Sequence, residues 1–165
     1  MATVVPEEIE VGQRSAGPRI MMLRRTKDIA TELTELLGKA EREILISSGK
    51  LNAELYGSRG IVEAVQDALE AGLTVKVIVG PHVEESELKN LLEEQDALRV
   101  LRTVPPLHFA VVDRTHFRLE DAHKLEDCQD IPSNKVGWDL PKTSTLLARY
   151  FWTLSRIASD KGFDV

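Results

Sequence analysis

Apolar positions along the chain fall into alternating helical and extended patterns. Residues 1–18 are polar, broken by Pro6, Gly12, Gly17 and Pro18, and read as a tail or edge segment. Ile20–Leu23 is a short apolar stretch of strand type. Ile29, Leu33, Leu36 and Leu37 share one face at helical spacing behind a cap at Thr26 or Asp28. Glu43–Ser48 is a strand broken by Gly49, and residues 50–60 are a loop. Ile61, Val62, Val65 and Leu69 form a second helical stripe, ended by Gly72. Leu73–Val79 is a nearly continuous apolar strand of the kind buried in parallel sheets. An acidic helix over 84–94 and a strand over 97–104 follow. A long irregular stretch over 121–142 precedes a final helix over about 143–159.

The stretch Leu107–Glu120 carries the most information. Leu107–Val112 is apolar with one histidine, Asp113–Thr115 is a polar break, and His116–Glu120 alternates polar and apolar. This is a hairpin pattern. A three-residue loop at 113–115 sets Val112 opposite His116, Ala110 opposite Arg118 and His108 opposite Glu120. Phe109, Val111, Phe117 and Leu119 then form a core face. His108, His116, Arg118 and Glu120 surround Ala110 on the other face, which either lines a pocket or meets solvent.

The element order predicts an α/β domain: a mixed, mostly parallel sheet with helices on both faces and a C-terminal antiparallel hairpin. Residues 19–165 form one domain, a length that allows a proper core. Composition is ordinary for a globular chain, with 42% hydrophobic and 29% charged residues. A net charge of −6 argues against general attraction to nucleic acid or anionic membranes. Arg14, Arg19, Arg24, Arg25 and Lys27 nevertheless cluster early and can make one basic edge. The single cysteine, Cys128, rules out an internal disulfide framework and suits a reducing cytoplasm. The first 18 residues lack a signal-peptide pattern, and no apolar run approaches the ~20 residues of a membrane span.

The layout resembles the phospholipase D-like superfamily over roughly residues 23–159. The resemblance rests on Ala40-Glu41-Arg42-Glu43-Ile44-Leu45-Ile46, on Ala68 to Ile78 with its glycine-led strand, and on the strand pair that follows. The helix Arg25–Ala40 followed by Ile44–Ser48 is also similar to the start of the effector domain of TrmB-type transcriptional regulators. Those domains bind small ligands such as sugars, and their winged helix has no counterpart in this sequence. The superfamily's catalytic strand reads HxKxxxxD, followed by GSxN on the return strand. Aligned on Asp113, the histidine position holds Pro106, the lysine position His108, and the GSxN region Leu119-Glu120-Asp121-Ala122. Only the aspartate matches.

In the superfamily, the motif histidine attacks phosphorus and the lysine and asparagine hold the phosphate oxygens. Proline supplies no lone pair for that attack. A two-residue slide brings His108 to the nucleophile position but sets Ala110 and Thr115 in place of its partners. The resemblance therefore implies a catalytically degenerate domain with no catalytic residue, in a sensing, regulatory or assembly role. The ligand-binding candidates are His108, Asp113, His116, Arg118 and Glu120. Arg118, whose planar fork suits phosphate or carboxylate, makes a small anion the expected ligand, unless it pairs with Glu120 or Asp121. The alternatives are a divergent homodimeric phosphodiesterase or nuclease, and a nucleic-acid-associated regulator module using the early arginines. His108, His116, His123 and Glu120 are metal-ligand types without metal-ligand spacing, so no metal or other cofactor is expected. Ser47-Ser48-Gly49-Lys50 lacks the nucleotide-binding pattern GxxxxGK[ST]. Single-motif members of the superfamily pair across a two-fold axis, so a homodimer is expected. The final helix, apolar at Leu146, Leu147, Tyr150, Phe151, Trp152, Leu154 and Ile157, offers a surface for it.

Overall fold

A computed structural model describes residues 17–121 and 133–160. In chain order the elements are β1 (Arg19–Leu23), α1 (Thr26–Gly38), β2 (Glu43–Ser48), α2 (Ala53–Tyr56), α3 (Arg59–Glu70) and β3 (Thr74–Val79). They continue with α4 (Glu87–Glu94), β4 (Leu98–Val100), β5 (Phe109–Val112), β6 (His116–Glu120), β7 (Asn134–Trp138) and α5 (Pro141–Asp160). The strands form one sheet in the order β1-β7-β6-β5-β2-β3-β4.

The sheet is mixed, but antiparallel pairing prevails. Only β2–β3 and β3–β4 are parallel, whereas β1–β7, β7–β6, β6–β5 and β5–β2 are antiparallel. The expectation of a mostly parallel sheet is corrected on this point. It extrapolated from the crossovers at α3 and α4, and these account for only two of the six pairings. The β5–β6 hairpin is also internal rather than C-terminal, because β7 extends it before α5 begins.

Alternation along the strands divides the core in two. Ile44, Ile46, Val75, Val77, Ala110, Val112, Val136 and Trp138 pack with the apolar stripes of α1, α3 and α4. Leu45, Ile78, Phe109, Val111 and Phe117 pack beneath Leu147, Ala148 and Phe151 of α5. This is the period-two consequence of burying both faces of a sheet.

Several elements differ from their sequence patterns. Within the 50–60 loop, Asn52 caps the one-turn α2, its Oδ1 accepting from the Leu55 N–H at 2.9 Å. The stretch 121–142 yields the strand β7. The acidic helix starts at Glu87, where Ser86 Oγ accepts from the Lys89 N–H. The 97–104 strand shortens to three residues. Helix α1 has Arg25 rather than Thr26 or Asp28 at its cap, and Asp28 instead pairs with Arg25 Nε at 2.6 Å. Helix α5 opens on Pro141, which suits a first helical position because its missing N–H has no partner there. Residues 1–16, His123 and Cys128 lie outside the described residues.

Candidate functional site

The hairpin register is the one its loop length predicts. Val112 pairs with His116 and Ala110 with Arg118, and the Glu120 N–H donates to the His108 carbonyl at 3.0 Å. Asp113 and Arg114 both have φ near +53°, and the Thr115 N–H closes the turn on the Val112 carbonyl. The centre of the Ala110 face, however, does not meet solvent. Ala110 is fully buried and Arg118 only 4% exposed, because residues of α1 and α2 pack on this face and β7 flanks β6 within the sheet.

A buried guanidinium needs partners for its donors. Arg118 Nε donates to Asn134 Oδ1 at 2.6 Å, one terminal nitrogen to the Tyr56 hydroxyl at 3.1 Å, and the other to Glu120 Oε2 at 3.3 Å. The same Glu120 oxygen lies 3.5 Å from His108 Nδ1. Burial pushes the Tyr56 hydroxyl pKa up, against the opposing pull of Arg118, so Tyr56 stays protonated as Arg118's acceptor. Asn134 faces Glu120 across the β6–β7 ladder, which sets its amide beside the guanidinium.

This cluster sits at the C-terminal edge of the parallel strands, where α/β sheets hold ligands. His108 immediately precedes β5, whose Phe109 pairs with Ser47 near the end of β2. Ser47 Oγ donates to the Leu107 carbonyl at 2.7 Å. Gly49 passes so close that a Cβ there would lie 3.2 Å from His108 Cε1.

Of the five candidate residues, the structure thus brings His108, Arg118 and Glu120 together. Asp113 and His116 lie at the opposite edge of the sheet. The Asp113 carboxylate accepts three successive backbone N–H groups, from Glu41 at 2.9 Å, Arg42 at 2.9 Å and Glu43 at 2.8 Å, and so ties the hairpin turn to the entry of β2. His116 packs on Trp138, ring centroids 5.0 Å apart, and its Nδ1 accepts the Asp139 N–H at 3.0 Å. Tyr56 and Asn134 were not among the sequence candidates, since each lies in a segment read as irregular. The Asn52 cap beside a tyrosine, and the alternation Asn134, Val136, Trp138, were the available signals.

No family model matches the sequence, and no curated protein matches it. Solved structures do. The archaeal chromatin protein TrmBL2, described with a novel mode of DNA binding, superposes with a TM-score of 0.67 at 17% identity over 92% of this chain. The chain spans 56% of the length of that structure. Nuc from Salmonella typhimurium, a phospholipase D family member, gives 0.59 at 13% identity, covering 83% of this chain and 93% of its own. NucT from Helicobacter pylori gives 0.60 at 13% identity, covering 85% and 97%. The chain therefore has a phospholipase D-like fold, one also found in TrmBL2.

Proposed function

We propose that this chain is a non-catalytic phospholipase D-like domain with a sensing, regulatory or assembly role in the cytoplasm. The observation that carries the reading is the pairing of Arg118 with Glu120, Tyr56 and Asn134 beside His108. The cation best suited to hold a phosphate is matched by the chain's own carboxylate, and Pro106 stands where the superfamily has its nucleophile. A small anionic ligand at this edge must displace Glu120, whose side chain is 15% exposed. Among the described residues no helix is long and apolar enough to cross a membrane.

The test is hydrolysis of a generic phosphodiester and of DNA by the purified chain. Without a covalent nucleophile the rate stays at background, since losing such a group removes several orders of magnitude. Turnover abolished by His108→Ala would support instead the divergent phosphodiesterase or nuclease.

A nucleic-acid-associated role draws on the likeness to TrmBL2. The net charge of −6 weighs against it. DNA binding that weakens steeply with added salt would favour that role.

The domain works as a homodimer. Support comes from the apolar side chains left uncovered, with Leu146 63% exposed and Ile157 47% exposed on α5. Trp152 is half-buried beside Phe151, at a ring-centroid separation of 5.5 Å, and contributes less surface than its sequence position suggests. Light scattering at micromolar concentration should give twice the 18.4 kDa chain mass. A clean monomer mass contradicts the dimer.

A further inference from the structure

His116 opens β6 at the edge of the sheet away from the Arg118 cluster. Its Nδ1 accepts the Asp139 N–H at 3.0 Å. An imidazole nitrogen accepts only through its lone pair, so the ring proton resides on Nε2 and the ring is neutral. Asp139 joins β7 to α5 with φ +52°, a conformation unusual for a residue with a side chain. The next residue is held the same way, Leu140 N–H donating to the Thr115 carbonyl at 2.9 Å. Two adjacent amides of the β7–α5 corner are thereby anchored on two adjacent residues of the hairpin. His116 supplies the one anchor that titrates.

The ring is flanked by Trp138, and the Arg19 guanidinium also lies over that indole, 4.9 Å from its centroid. We propose that His116 is an acid-sensitive latch that holds the β7–α5 corner in place only while its imidazole is neutral. Protonation at Nδ1 removes the acceptor and sets two N–H groups against each other. The imidazolium has a competing partner close by, Asp139 Oδ1 at 3.7 Å. Moving toward that carboxylate releases the Asp139 amide. The corner leads into α5, which covers the second core, so the latch bears on how firmly that helix is seated.

The charged groups facing the ring come from four segments. Burial is the largest influence and disfavours the imidazolium. Asp139 in the corner and Asp113 in the hairpin turn favour it, whereas Arg19 of β1 and Lys39 after α1 oppose it. The net direction is a pKa below the ordinary histidine value. The unfolded chain then takes up the proton more readily than the folded one. Stability is complete above the ordinary pKa of about 6.5 and declines as pH falls toward the depressed folded value.

The experiment compares the full chain with His116→Asn, whose side-chain oxygen can still accept the Asp139 N–H but does not titrate. Urea unfolding is followed at pH values from about 7.5 to about 5, spanning the ordinary histidine range. The wild type loses stability relative to His116→Asn over the acid half of that range. Parallel profiles overturn the proposal. If the variant does not fold, NMR of the wild-type ring and of the Asp139 amide decides the matter. A neutral ring protonated at Nε2, with the amide signal moving as the ring titrates, supports the latch. An amide indifferent to that titration overturns it.

Discussion

Glu120 is the residue on which the buried charge of Arg118 most depends. Its carboxylate meets both Arg118 and His108. Removing one member of a buried ion pair leaves the other charge uncompensated, at about 3–5 kcal/mol when burial is complete. Tyr56 and Asn134 remain bonded to Arg118, and Glu120 is partly exposed, so Glu120→Ala should destabilise by about 3 kcal/mol in urea unfolding. Glu120→Gln, which keeps an acceptor oxygen, should lose less. Equal stability of wild type and Glu120→Ala contradicts the pairing. The trio His108, Arg118 and Glu120 was legible in the sequence because strand parity alone sorts side chains onto faces. What covers that face was not, since Tyr56 arrives from 62 residues away in sequence.

Among elements, the β5–β6 hairpin was the most readable. Its apolar run, polar break and alternation encode the pairing locally, and the loop length sets the register. Strand β7 was the least readable. It has five residues, two of them Gly137 and Lys135, and it lies next to a proline-containing stretch. Its glycine has a packing reason. Gly137 pairs with Phe117, and a Cβ at that position would collide with the Phe117 ring. Gly137→Ala must displace a buried aromatic ring, and overpacking of that kind costs about 1–3 kcal/mol. A thermal midpoint lowered by several degrees is expected, and an unchanged one would place the Phe117 ring elsewhere. The same strand separates the hairpin from β1, so the antiparallel half of the sheet escapes a reading based on helix–strand alternation.

For the molecule as a whole, the two edges formed by opposite ends of the central strands carry different residues. One edge gathers Gly49, His108, Arg118 and Glu120, and the other holds Asp113, His116 and the corner into α5. A shared hairpin face joined His116 to His108, Arg118 and Glu120, and the motif aspartate added Asp113, so residues from both edges entered one candidate site. The motif runs along β5, so its two ends lie at opposite ends of one strand, and the fold keeps them apart. The phospholipase D-like layout was legible because the helix–strand succession of the fold is written in the apolar pattern of the chain. The function proposed above, a non-catalytic domain, requires that the chain carry out no covalent phosphoryl chemistry. Its most direct measurement is the intact mass of the chain after incubation with a phosphodiester and acid-free quenching, which preserves phosphohistidine. A single unmodified mass is expected at every time point. A phosphoryl adduct that maps to His108 would contradict it.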